Sequence, residues 1–154
     1  MNLITRMNMV EHVALVTFEG IPNQVGFLSA IFNSVAGRNI NVDMISKTAT
    51  TGPRMTLSFT VSEEDIPALL EITNQVRTKY PDIRPMVSGG NTKIVLFGED
   101  LPTECGVAAK AFTALNEAGI DVIMIVTSDQ DISLLLRGAD ADTAYEVLHK
   151  AYSD

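Results

Sequence analysis

The chain has 154 residues, of which 46% are hydrophobic and 19% charged, a composition that is typical of globular proteins and argues against a disordered chain. Eleven Lys and Arg against nineteen Asp and Glu give a net charge of −8 without a basic block, which argues against nucleic acid as a partner. The lone Cys105 cannot form an intramolecular disulfide, and His12 and His149 are too far apart in sequence to suggest a metal site.

The first half of the chain begins with an apolar run at residues 13–18, which predicts a strand. Gly26 then precedes a one-faced helix that ends near Asn39, because Asn tolerates the left-handed conformation that closes helices. We predict a second strand at 41–47 and a third at 54–61, in which apolar and polar residues alternate. The apolar stripe of the helix consists of Phe27, Leu28, Ile31, Phe32 and Val35.

A second helix is predicted from Ser62, with Asp65 three residues on, close to a capping box, and it ends before Pro81. A strand at 83–88 completes the order β-α-β-β-α-β, which is that of the ferredoxin-like split βαβ unit. The predicted buried stripe of this helix is Ile66, Leu69, Leu70, Thr73, Val76 and Tyr80.

The second half of the chain repeats these signals, since residues 23–45 align with 103–125 at a constant offset of 80 without a gap. Its predicted strands are 94–97, 121–127 and 131–137. Its first helix follows Gly106 and stops at Gly119, and its second is capped by Asp140. The stripes are Val107, Ala108, Ala111, Phe112 and Leu115, then Ala141, Ala144, Tyr145, Leu148 and Tyr152.

This second copy lacks a fourth strand, and the apolar segment at 3–7 has no place in the first copy. We therefore predict that residues 3–7 supply the missing strand. The domains are then 9–88 for the first unit and 1–8 plus 89–154 for the second, with Gly89-Gly90-Asn91 as a short connection.

The segment GIPNQVGFLSAIFNSVAGRNINVDMIS resembles the ACT-domain pattern, in which a loop ending in Gly leads a helix and an Asn-Ile-(Asn/Asp)-(Val/Ile)-Asp strand follows. CGVAAKAFTALNEAGIDVIMIVTSDQDISLLL, with AYEVLHKAY behind it, is similar to the second ACT unit of aspartate kinase. The resemblance implies an α+β fold of two ferredoxin-like ACT units, with antiparallel sheets, helices on one face and the first unit inserted in the second. It covers the regulatory region only, without the kinase domain.

The loop before Gly26 and the nearby strand carry groups that suit the two charges of an amino acid. A helix led by Gly leaves its first N–H groups unpaired, and these suit a carboxylate, while Asp43 suits an ammonium. The alternative is that Gly26 only allows a turn and Asp43 is a solvated strand end. The resemblance implies that an amino acid binds between this loop and the second strand, which corresponds here to Ile21, Asn23, Gln24, Val25, Gly26, Phe27 and Leu28 with Asn41, Val42 and Asp43.

Three positions depart from the family pattern. Where this chain has Asn23 and Val25, the family often has Asp and Pro, and where it has Lys47, threonine-binding members have Gln. A lysine at this last position would repel the ammonium group of a ligand. In the second unit Asp121, Val122 and Ser128 occupy the corresponding places, but Ile123 replaces the acid. The ligand, whether lysine, threonine or a similar amino acid, therefore stays open.

No nucleophile with a base, paired carboxylates or cofactor motif is legible, so we expect neither catalysis nor a cofactor. No run reaches the roughly 18 apolar residues of a membrane helix and no secretory signal is visible, so we expect a cytoplasmic protein without membrane contact. The main hypothesis is an allosteric amino-acid sensor, dimeric, with a catalytic aspartate kinase subunit as a further partner. The alternatives are an assembly module without a working ligand site and a small enzyme on the same fold.

Overall fold

The computed structural model describes residues 3–48 and 52–153. It divides into two compact units, which we call the first unit (13–89) and the second unit (3–12 with 90–153). The division falls between His12 and Val13 and between Gly89 and Gly90, where the sequence places the borders after residues 8 and 88.

The first unit contains the end of β1, the start of β4 and every element between them. Strand β3 pairs antiparallel with both β1 and β2, and the strand order is β2-β3-β1-β4. The elements are β1 (Arg6–Pro22), α1 (Phe27–Gly37), β2 (Ile45–Lys47), β3 (Arg54–Ser62), α2 (Ile66–Lys79) and β4 (Arg84–Phe97).

The core of the first unit lies between its sheet and its two helices. Alternate residues of β3, including Leu57 and Phe59, are completely buried and share one cluster with Ile31 of α1 and Leu69 of α2. Both helices therefore cover the same face of the sheet, as the alternating pattern of β3 predicts.

The second unit repeats this arrangement with the start of β1 and the end of β4. Its further elements are α3 (Val107–Glu117), β5 (Met124–Thr127), β6 (Asp131–Arg137) and α4 (Ala141–Ser153), and the strand order is β1-β4-β6-β5. Ile4 is buried in its core, and the Thr5 N–H donates to the Phe97 carbonyl at 2.7 Å. The α+β class with two ferredoxin-like units is thus confirmed.

Two predicted boundaries are wrong. The predicted connection at Gly89-Gly90-Asn91 lies inside β4, because Gly90 adopts a φ of 73° that bends a strand without ending it. The predicted strand 3–7 begins only at Arg6 and runs on into 13–18 as β1. His12 lies within β1 with a φ of 59°.

The second strand of each unit is shorter than predicted. Residues 41–44 lie outside β2, because the Thr60 hydroxyl accepts the Met44 N–H at 2.9 Å and so replaces a backbone partner. In the second unit β5 starts at Met124 instead of residue 121.

The helices follow the prediction more closely. Asn39 and Gly119 have φ values of 59° and 71° at the ends of α1 and α3, as expected from their tolerance of left-handed backbone. The buried stripe of α2 was wrong at one position, since Leu70 is 50% exposed while Ile72 is buried. Ser62 caps a short turn ahead of α2, accepting the Glu64 N–H at 3.4 Å.

Candidate functional site

The loop between β1 and α1 of the first unit is held by its backbone. The Asn23 N–H donates to the Pro53 carbonyl and the Gln24 N–H to the Pro22 carbonyl, both at 2.8 Å. Gly26 caps α1 with a φ of 94° and no side chain caps the helix. The Phe27 N–H donates to the Gln24 carbonyl at 3.4 Å, and the N–H groups that follow it in the first turn have no partner within the helix. The loop therefore offers backbone donors and the positive end of a helix dipole.

The side chains of this region divide into core and surface. Ile21 is completely buried and Phe27 is 8% exposed, with the Phe27 ring 5.0 Å from that of Tyr80. Asn23, Gln24, Val25 and Gly26 are exposed, and Leu28 packs partly against the core. Ile21 and Phe27 thus shape the loop from beneath, and the exposed residues are those that a ligand can reach.

The residues proposed for the other half of the site lie at the opposite end of β3. Pro22 lies opposite Arg54, whereas the Asp43 N–H donates to the Thr60 carbonyl at 3.0 Å. The six residue steps from Arg54 to Thr60 correspond to roughly 20 Å of strand. An α-amino acid carries both charges on one carbon, so Asp43 and the Gly26 loop of the same unit cannot hold the two ends of one ligand.

The stretch around Asp43 is positioned by Thr60, which sequence reasoning missed. Thr60 is completely buried and binds Met44 through its hydroxyl and Asp43 through its carbonyl. Asn41 and Asp43 are exposed, whereas Val42 packs against the core. A threonine on the polar side of an alternating strand is the one signal for this role in the sequence.

Lys47 is the last residue of β2 and lies at the end of this strand that is nearer the Gly26 loop. It lies opposite Leu57 and is exposed. Directly opposed residues share a face of a sheet, so Lys47 lies on the face that the helices cover. It is the basic residue of β2, and β2 is the edge strand of the order.

The second unit has the same frame with different side chains. Gly106 caps α3 with a φ of 85°, again without a capping side chain. The Ser128 hydroxyl accepts the N–H groups of Gln130 and Asp131, both at 3.2 Å, so it stabilises the turn before β6. Asp121 is exposed and Val122 packs against the core, which leaves the second unit with fewer groups for a ligand.

Other reactive groups form no site in the described part of the chain. Residues 3–48 and 52–153 contain no group of three or more His, Cys, Asp or Glu side chains that could hold a metal ion. Cys105 is an exposed free thiol, and the ring of His149 stacks on Tyr145 at 6.3 Å. Of the helices described, none is long and apolar enough to cross a membrane.

Comparison with known proteins identifies both units. Models of the ACT domain match residues 15–78 and 94–152. An aspartokinase of Bacillus sp. (strain MGA3) is 32% identical over 98% of this chain, which spans 37% of that protein.

Two solved structures match this chain over nearly their whole length. The regulatory subunit of aspartate kinase from Thermus thermophilus, in a ligand-free form, has 28% identity and a TM-score of 0.89, with 97% of this chain and 98% of that one covered. A chain of a structure of aspartokinase alpha and beta subunits has 30% identity and a TM-score of 0.89, with 98% and 99% covered. The matched part is the non-catalytic regulatory region, and the chain belongs to the aspartokinase family as a tandem ACT-domain regulatory region of it.

Proposed function

We propose that this chain is an amino-acid sensor that binds lysine, threonine or a similar amino acid and transmits its presence to a catalytic aspartokinase subunit. The family membership supports allosteric sensing in general, and the first turn of α1, which no side chain caps, supplies backbone donors for a carboxylate. Asp43 supplies the acidic partner for an ammonium.

The Gly26 loop and Asp43 lie roughly 20 Å apart along β3, so one copy of the chain cannot hold both ends of the ligand. The second part of the proposal is therefore that two copies of the chain together complete each site. Strand β2 is an edge strand with three exposed residues, Ile45, Ser46 and Lys47. Edge strands pair readily with a second copy, and a two-fold axis sets them antiparallel. Asp43 of one copy then lies beside the Lys47 end of the other.

This arrangement assigns opposite roles to the two charged residues. Lys47 and the Gly26 loop receive the ligand carboxylate, and Asp43 from the second copy receives the ammonium. Lys47 next to the loop is then favourable, because it faces the negative end of the ligand. The homodimer is part of the sensor in this proposal, with two equivalent sites.

Ligand identity is tested first by a thermal-shift screen of the twenty amino acids, since a ligand selective for the folded state raises its stability. Calorimetry with Asp43→Asn follows, where loss of a charge-assisted hydrogen bond worth ~1.5 to 3 kcal/mol predicts roughly ten- to hundredfold weaker binding. Asp121→Asn in the second unit is the matched control, with a smaller effect. Equal binding by wild type and Asp43→Asn contradicts the ammonium contact.

A mixing experiment tests the shared site directly. Asp43→Asn and Lys47→Gln each damage both sites of a homodimer. In a dimer that contains one copy of each variant, both substitutions fall in the same site and the other site is intact. Unfolding and refolding an equal mixture makes about half of the dimers mixed, so about a quarter of all sites regain binding. A site within one copy predicts no restoration.

An assembly module without a ligand site is the second candidate, favoured by the loss of an acid at Ile123 and by the structural role of Ser128 in the second unit. It predicts a dimer by sedimentation that no amino acid stabilises. A monomer in the presence and absence of every amino acid contradicts both proposals.

A further inference from the structure

A cleft opens between α1 and α2 of the first unit, on the helix side of the sheet. Its volume is about 180 Å³. Ile31 and Ile72, 3% and 2% exposed, are among the residues that line it, together with Val76. Apolar cavities of ~150 Å³ take up ligands the size of benzene, so this cleft has room for a small branched hydrocarbon group.

Aromatic rings and a cation border the same cleft. Phe27 and Tyr80 meet edge to face, with ring centroids 5.0 Å apart. Lys79 also lines the cleft, and its ammonium lies 5.5 Å from the Tyr80 ring centroid. Phe27 is the first residue of α1, so the positive end of that helix dipole lies at the same border.

The charge of Lys79 is not neutralised by a neighbouring acid among residues 3–48 and 52–153. Of the carboxylates on and just after α2, Glu71 pairs with Arg38 and Asp82 lies 3.8 Å from the Arg54 guanidinium. An apolar cleft with an uncompensated cation at its border is complementary to a molecule with a hydrocarbon body and a single negative charge.

The second unit provides an internal comparison, because its helices α3 and α4 are related to α1 and α2 by the repeat. The groove there is lined by small and charged residues, including Ala114, Glu117 and Lys150. Glu117 disfavours an anion at that place. Tyr152 also ties α4 to α3 by donating to the Val107 carbonyl at 2.6 Å.

We propose that the cleft between α1 and α2 is a second small-molecule site, which binds a compact branched-chain monocarboxylate. Unlike the amino-acid site, it requires no ammonium group on the ligand. The hydrocarbon part lies on Ile31, Ile72 and Val76, and the carboxylate pairs with Lys79. The site uses the helix side of one unit, so it depends neither on dimer formation nor on Asp43.

Calorimetry and methyl NMR of the full chain with 4-methylpentanoate test this site. We expect saturable binding that shifts the methyl signals of Ile31 and Ile72. The neutral 4-methylpentanamide should bind about two- to fivefold more weakly, since it lacks the charge that Lys79 attracts. No saturable binding, or equal binding of acid and amide, overturns the proposal.

Matched variants locate the ligand. Ser34→Leu places a bulky side chain into the cleft and should abolish binding, whereas Ala114→Leu, at the equivalent place in the second unit, should leave binding unchanged. Lys79→Met should weaken binding about two- to fivefold and Lys150→Met should not. Binding that survives Ser34→Leu overturns the assignment.

Two further measurements keep this test separate from that of the amino-acid site. If Ser34→Leu melts below the wild type, Ala30→Leu on the same helix face fills the cleft instead. Asp43→Asn must bind 4-methylpentanoate as well as the wild type does. A parallel loss of monocarboxylate and amino-acid binding in Asp43→Asn overturns the second site and leaves the first proposal standing.

Discussion

Replacement of Tyr152 by Phe removes one hydroxyl from the core of the second unit. Tyr152 lies on α4 and is 5% exposed, and its hydroxyl donates to the Val107 carbonyl of α3 at 2.6 Å. Burial raises the pKa of Tyr152 from 10.0 to about 12, while a backbone hydrogen bond from Ala111 partly offsets this rise. The hydroxyl is therefore held in its neutral form between two helices.

Loss of this hydroxyl leaves a buried carbonyl with one partner fewer, which costs ~1–2 kcal/mol of the free energy of unfolding. For a chain of this size the melting temperature should fall by about 2–8 °C. The folded state favours the neutral phenol, so the raised pKa adds to the free energy of unfolding. This contribution is complete below pH 10 and disappears as the pH rises toward about 12. Tyr152→Phe should lack this alkaline loss.

Urea unfolding followed by circular dichroism, at neutral pH and in steps through the alkaline range, measures both effects. Tyr145→Phe is the matched control, because Tyr145 lies on the same helix, is only partly buried and stacks on His149. We expect Tyr145→Phe to retain the wild-type stability and alkaline profile. If Tyr152→Phe unfolds at the same urea concentration as Tyr145→Phe and shows the same alkaline loss, the reasoning is refuted.

Two further substitutions test the backbone. Gly26→Ala should destabilise the first unit by ~1–2 kcal/mol because φ at Gly26 is 94°, whereas Gly37→Ala, where φ is not positive, should be neutral or stabilising in thermal melts. Gly98→Ala places a Cβ against the Leu3 carbonyl and should displace the segment before β1, so hydrogen exchange at the end of β4 should accelerate, and we expect the same in Ile4→Ala. Unchanged exchange in Gly98→Ala would show that this segment is not needed for the second unit.

The helices could be predicted from the sequence because their ends carry residues with a backbone preference. Gly26, Asn39, Gly106 and Gly119 all have positive φ where the chain enters or leaves a helix. Local chemistry decides these positions, and the repeat at an offset of 80 makes each one visible twice.

The strands were less predictable because their limits depend on partners that are distant in sequence. Gly89-Gly90 has the composition of a turn, yet Gly90 bends β4 without interrupting it, and composition alone does not separate a bulge from a turn. The shortening of β2 depends on the Thr60 hydroxyl on a neighbouring strand. A helical stripe that fits Leu70 fits Ile72 almost as well, and packing decides between them.

The same reason explains why the site could be predicted as a set of residues and not as a geometry. The resemblance to the family implies that the loop before Gly26 and the stretch at 41–43 contact the same ligand. The pairing of β3, however, places these two segments roughly 20 Å apart within one copy of the chain. If a second copy completes the site, ligand binding and association stabilise each other, and the apparent affinity depends on protein concentration. A sensor built this way reports the amino acid as a change in assembly, which a catalytic subunit can read without touching the ligand.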